Sequence, residues 1–306
     1  MNIFSTIIPI FAIILIGYLA RKKGFIQADF IGPANTLVYY LAIPAMVFRA
    51  ISQAALTTHF NIGILSITLA TATGCFVLAW ISGSLFRIHR NQLGSYIQAA
   101  FHGNLGYIGL AVTFYYLGDS GFVKASILTG FMMILQNLLS VLALTINARQ
   151  PGAANHAMIV VKNIAANPVV LSAMAGIAFS LMAVPIPVII QRSLDILSGL
   201  ALPMALLIIG ASISFQELRR RLKPALSAVA FKLILMPALG YACFLSFGFG
   251  SQDFLPALIL LASPSATVSY VMAKEMKGDP DFAVITISLC TSLSAITYTL
   301  WLQLAT

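Results

Sequence analysis

Apolar runs of about 20 residues recur from one end of the chain to the other, separated by short polar breaks. A helix rising ~1.5 Å per residue needs that length to cross a ~30 Å hydrocarbon core. Ten such runs lie near 3–20, 31–49, 62–86, 93–117, 120–147, 163–182, 189–213, 224–247, 253–274 and 281–303. They are too long and too uniformly apolar for the ~10-residue alternation of a membrane β-barrel. The pattern therefore predicts an all-α membrane protein with ten transmembrane helices, numbered here as spans one to ten. Composition agrees: with 60% apolar and 8% charged residues and a mean hydropathy of +0.97, a soluble domain of this size would lack a charged surface. The first run does not read as a cleaved signal peptide, because no basic residue precedes it and Arg21, Lys22 and Lys23 follow it.

The net charge of +9 is distributed unevenly. Arg21, Lys22, Lys23, Arg87, Arg90, Arg149, Lys162, Arg219, Arg220, Arg221, Lys223, Lys274 and Lys277 follow odd-numbered spans. Only Arg49, Lys124 and Arg192 follow even-numbered ones, and Lys232 falls inside span eight. Basic loops stay in the cytoplasm, so both termini are expected to face outward from the plasma membrane, the bacterial inner membrane. The charge is a topology signal and leaves no nucleic-acid partner to expect. Cys75, Cys243 and Cys290 fall within spans without C-x-x-C spacing and read as small buried apolar residues.

The longest break, 148–162, holds Pro151, Gly152 and Asn155 and reads as a cytoplasmic linker between halves 1–147 and 163–306. Adding 159 carries Gly17 onto Gly176, Leu41 and Ala42 onto Leu200 and Ala201, and Pro44 onto Pro203. The same offset lays span four on span nine. Five spans per repeat is an odd number, so the second copy inserts upside down, the inverted-repeat plan of many secondary transporters.

Backbone left unsatisfied at membrane depth is tolerated only in protein or along a cavity, so interrupted spans mark the candidate site. Span four carries Gly103, Asn104, Leu105 and Gly106 at mid-depth, and span nine carries Ser263, Pro264, Ser265, Ala266 and Thr267. The repeat offset superposes the two. Each break is expected to expose N–H groups at one half-helix start, which favour an anion, and carbonyls at the other end, which suit a cation. Lys232, about nine residues into span eight, is costly in lipid and is either a functional charge or a lysine snorkelling to the cytoplasm. Every carboxylate falls in a loop or near a span end, and His102 stands beside the first break as a titratable or a packed neutral residue. An intramembrane enzyme is disfavoured, since G-x-S-x-G, H-E-x-x-H and P-loop signatures are all missing. A channel or uniporter for small anions remains an alternative, because broken helices also line filters.

Several segments together resemble the auxin efflux carrier family, which includes plant PIN-type carriers and bacterial permeases proposed to carry malate, malonate or related organic acids. They are Asn35-Thr36-Leu37-Val38, Ala42-Ile43-Pro44, Phe48 with Ile51-Ser52, Asn167-Pro168 before Gly176, Val271 to Glu275 after Pro264, and Asp279-Pro280-Asp281. The resemblance covers nearly the full chain. It implies a scaffold of spans 1, 2, 6 and 7, and a transport domain of spans 3–5 and 8–10 in which broken spans four and nine cross and move as an elevator. It also implies that Asn104 contacts the substrate carboxylate with Gln136 beside it, and it leaves a homodimer through the scaffold as the assembly to test. Gly103 and Ala111 stand where the plant carriers have prolines, and the acidic residue of their third helix is absent. The expected function is secondary-active transport of small organic anions, malate- or malonate-like dicarboxylates or auxin-like monocarboxylates, with no cofactor and with sodium or proton coupling left open.

Overall fold

A computed structural model describes residues 3–53, 61–147, 167–182, 185–214 and 218–306. The predicted linker at 148–162 lies outside the described residues. The apolar runs fold as helices: α1 (Ile3–Lys22), α2 (Ala28–Ser52), α3 (Ile62–Leu85), α4 (Arg90–Phe101), α5 (Leu105–Asn147), α6 (Pro168–Leu181), α7 (Val188–Ser212), α8 (Arg221–Ser246), α9 (Ser251–Leu261), α10 (Val268–Glu275) and α11 (Pro280–Ala305). No strand occurs among the described residues. Seven of these helices, α1, α2, α3, α5, α7, α8 and α11, are long and apolar enough to cross a membrane. The number differs from ten for physical reasons. Span four divides between α4 and α5, span nine divides into α9 and α10, and α6 is a 14-residue helix. Within α5, Gly118 takes φ +66°, a left-handed conformation that turns the chain between the end of span four and the start of span five.

The spacing of 159 reappears in structural landmarks. Ile62 opens α3 and Arg221 opens α8, while Gly118 and Lys277 both adopt positive φ, +66° and +58°. Two helices widen into π-helical turns, Val38–Ala42 in α2 and Phe231–Leu235 in α8, each just ahead of a proline, Pro44 or Pro237. A proline inside a helix lacks an N–H and cannot bond the carbonyl four residues back. In α8 that carbonyl belongs to Leu233, and the indole Nε1 of Trp301 donates to it at 2.9 Å. At the start of α6, Asn167 caps the N–H groups of Val169 and Val170 at 3.0 and 3.2 Å, with Pro168 in the first turn, where its missing N–H costs nothing.

The chain forms two compact units. The first comprises Met1–Asn61, Gly106–Phe131 and Ala165–Ile213 and contains α1, α2, α6 and α7. Glycines let α1 and α7 approach backbone to backbone: a Cβ at Gly17 would overlap the carbonyl of Leu207, and one at Gly210 that of Ile14. Small residues at such contacts are the usual device for tight packing in lipid, where hydrophobicity drives nothing. Phe48 and Phe179 meet edge to face at 5.2 Å, Tyr107 Oη donates to Asn35 Oδ1 at 2.7 Å, and Arg49 pairs with Asp195.

The second unit comprises Ile62–Leu105, Met132–Ile164 and Ser214–Thr306. Asp279 knits one end of it: its carboxylate pairs with Arg221 and accepts from Phe282 N–H at 3.1 Å, while its own N–H donates to Ser95 Oγ at 2.8 Å. Phe244 and Phe254 stack at 5.3 Å near the other end of α8.

Glycine-to-alanine substitutions should therefore differ in sign between sites. Gly210→Ala forces a backbone shift between α1 and α7 and should cost ~1–3 kcal/mol, whereas Gly32→Ala, with nothing within 4 Å, should gain a few tenths from helix propensity. Thermal unfolding in detergent measures both; equal shifts would refute the close approach.

Candidate functional site

Both interruptions foreseen in the sequence are present, and they pair with each other inside the second unit. α4 ends at Phe101 and α9 at Leu261, and the chain beyond each is extended. Asn104 N–H donates to Pro264 O at 2.7 Å and Ala266 N–H donates to His102 O at 2.9 Å, so Gly103 and Ser265 face one another in an antiparallel bridge. Sequence explains why each segment leaves its helix. Pro264 has no N–H to offer and drives Ser263 out of the helical region. Gly103 has no room for a side chain, since a Cβ there would overlap Ser263 Oγ and lie 3.2 Å from Lys232 Cε.

The carbonyl ends of the two half-helices are not bare. In α4, Gln98 O accepts from His102 N–H (2.9 Å), Ala99 O from Ser265 Oγ (2.7 Å), Ala100 O from Cys75 Sγ (3.5 Å) and Phe101 O from Gln136 Nε2 (3.3 Å). In α9, Leu258 O accepts from Ala262 N–H (2.8 Å), Ile259 O from Tyr298 Oη (3.1 Å), Leu260 O from Ser263 Oγ (2.7 Å) and Leu261 O from Lys232 Nζ (2.7 Å). The expectation of free carbonyls awaiting a cation is thus corrected, because each of the last four in both half-helices takes a donor from the protein.

Lys232 does not snorkel. It is 0% exposed, and its ammonium sits on the negative end of α9 with Met236 Sδ at 3.6 Å. His102 Nδ1 lies 2.8 Å from Ser140 Oγ, one helical turn from Gln136 on the same face of α5. No Asp or Glu occurs in residues 93–105 or 254–274. The crossing combines a buried ammonium with the positive N-terminal end of α10, where Ser269 N–H and Tyr270 N–H turn back onto Ala266 O (3.1 Å) and Thr267 O (3.3 Å).

Of the residues singled out in the sequence, Gly103, Asn104, Gln136, Lys232, Ser263, Pro264, Ser265 and Ala266 come together here, all buried. Leu105 N–H folds back onto Gly103 O at 2.9 Å, Gly106 continues into the first unit's part of α5, and Thr267, half-buried, precedes α10 without a side-chain cap bond. Cys75, Ser140 and Tyr298 were not foreseen. Their signal was available, since a polar side chain in a membrane helix needs a partner.

A model of the family described as membrane transport protein matches residues 2–302. The chain belongs to the membrane transport protein family. This is the family to which the auxin efflux carrier resemblance pointed, and it makes the chain a multi-pass membrane protein of a transporter lineage. Among family members it is similar to a protein named "Putative malonate transporter" from Rhizobium meliloti (strain 1021), 28% identical over 97% of this chain and 94% of the relative. It is also similar to uncharacterized transporters of Methanothermobacter thermautotrophicus, at 24% identity, and of Escherichia coli (strain K12), at 22%. The first of these alignments covers 97% of this chain and 96% of the relative, the second 98% and 96%.

The bridge yields a test. Gly103→Ala should lower the unfolding temperature in detergent by several degrees, at a cost of ~1–3 kcal/mol, because Ser263 Oγ occupies the added methyl's place. Adding Ser263→Ala should recover much of the loss, and additive effects of the two substitutions would contradict the packing described.

Proposed function

We propose that this family member is a secondary-active transporter of small organic anions, malonate- or malate-like dicarboxylates or auxin-like monocarboxylates, bound at the crossing and moved by alternating access. The carrying observation is electrostatic: a fully buried ammonium and a half-helix N-terminus meet at a backbone crossing whose segments hold no carboxylate. Such a place stabilises a carboxylate and opposes a cation. The name of the Rhizobium relative supports an organic anion as cargo. In this reading Asn104, Gly103, Leu105 and Gly106 contact the substrate carboxylate with Gln136 beside them. Lys232 supplies attraction, and Ser263, Pro264, Ser265, Ala266 and Thr267 form the opposite wall.

The architecture we infer is ten transmembrane helices in two inverted repeats, supported by the 159-residue spacing of helix starts and of the left-handed residues Gly118 and Lys277. Both termini then face outward across the bacterial inner membrane. From the auxin efflux carrier resemblance we take the elevator motion, with spans 3–5 and 8–10 moving, and assembly as a homodimer through the scaffold. Catalysis and cofactors have no part in this reading, and the coupling ion is sodium or a proton.

Uptake of labelled malonate, malate and indole-3-acetate into proteoliposomes, with sodium and pH gradients imposed in turn, tests the proposal. Saturable, counterflow-capable uptake of one of them is expected. Asn104→Ala, with its buried amide removed, should reduce that uptake at least ~10-fold, the scale of losing a hydrogen bond to a charged group. Wild-type-like uptake by this variant, or unsaturating electrical conductance by the unaltered protein, would overturn it.

A further inference from the structure

Four hydroxyl groups along α11 fold back on their own helix. Thr286 donates to Phe282 O (3.0 Å), Ser294 to Thr291 O (2.8 Å), Thr297 to Ser294 O (3.4 Å) and Thr299 to Ala295 O (2.9 Å). Thr291 does not: it is 1% exposed, and its Oγ1 has no hydrogen-bond partner. Ser269, in the first turn of α10 and also 1% exposed, is in the same state, and so is Oε1 of the fully buried Gln98 on α4. Buried polar atoms without partners are rare and costly, and each calls for an explanation.

These three groups share one level of the second unit. α10 and α11 are joined by four residues and run antiparallel, with Ala273 packed against Ala283 and Ile287. One turn further along that face of each helix stand Ser269 and Thr291. Gln98 reaches the same face of α10, its Nε2 lying 3.2 Å from Met272 Sδ, three residues from Ser269. The level adjoins the crossing, since Ser269 N–H donates to Ala266 O at 3.1 Å and Ala266 N–H donates to His102 O at 2.9 Å.

We propose that Gln98, Ser269 and Thr291 form a second polar subsite that takes the distal carboxylate of a dicarboxylate whose first carboxylate lies at Asn104. The inference rests on the transport reading above and narrows its cargo to dicarboxylates. The two hydroxyls donate to the carboxylate at the positive end of α10, and Gln98, turned about its terminal bond, exchanges a weak sulfur contact for a charge-assisted one. A monocarboxylate leaves all three groups buried and unpaired, and this penalty is the source of selectivity.

Binding of labelled malonate and labelled propionate to the purified protein tests the subsite through the ratio of their affinities. The unaltered protein should prefer malonate, and Thr291→Val or Ser269→Ala should each cut that preference by ~10-fold, as expected for a lost hydrogen bond to a charge. Thr291→Ser, which keeps the hydroxyl, should restore it, and Thr297→Val, whose hydroxyl serves only its own helix, should leave it intact. Retention of the full preference by both Thr291→Val and Ser269→Ala overturns the subsite alone. Failure of the unaltered protein to bind either acid, together with no uptake of malate or indole-3-acetate into proteoliposomes, overturns the transport reading, and the subsite with it.

Discussion

A peptide carbonyl at membrane depth must find a donor, and the second unit is organised around meeting that demand where two helices stop halfway. Eight carbonyls at the ends of α4 and α9 would otherwise lack a full set of bonds, and those not met locally draw donors from four other elements. Cys75 comes from α3, Gln136 from α5, Lys232 from α8 and Tyr298 from α11. The two breaks supply the rest by bonding to each other and to their own last turns. Each donor is held by a helix whose position is thereby fixed. The crossing is the point from which the packing of this unit is determined, rather than a defect accommodated by it.

Lys232 shows how a charge is tolerated in such a place. Desolvating an ammonium is expensive, and no carboxylate stands at the breaks to neutralise it. What it has is the C-terminal end of α9, where aligned peptide dipoles add to about half a negative charge. Leu261 O provides the strong bond and Met236 Sδ a weak one. This arrangement offsets only part of the cost of burying the charge. The widened π-turn of α8 that carries Lys232 follows from Pro237, and Trp301 satisfies the carbonyl that this proline leaves free. A proline and a tryptophan distant in sequence thus help to set where the charge lies.

Much of this was legible beforehand. Long apolar runs place the helices, and Gly103 and Pro264 announce the breaks, because these residue types interrupt helices for reasons visible in one sequence. Helix lengths were less legible. Hydropathy sees span four as continuous through Gly103, since extended backbone in a buried bridge is as apolar in side chains as a helix. The partners of the orphan carbonyls were not legible either. By sequence Cys75 reads as a small buried apolar residue, yet its thiol donates to Ala100 O across 25 residues of sequence, a relation no local pattern encodes. Lys232 admitted two readings from its depth alone, and only its contact with Leu261 decides against the lipid surface.

Positions related by the 159-residue spacing carry similar backbone but dissimilar caps. Lys232 corresponds to Thr73, whose hydroxyl turns back onto Leu69 O at 2.9 Å, and Gln136 corresponds to Ala295, which has nothing to donate. One half-helix therefore ends on a full positive charge and the other on a neutral amide. Two breaks alike in geometry but unlike in charge are not interchangeable for an anion. The two sides of the bridge therefore present distinct electrostatic surroundings. The two breaks share a bridged backbone, while their side chains, Lys232 above all, make the two sides unlike.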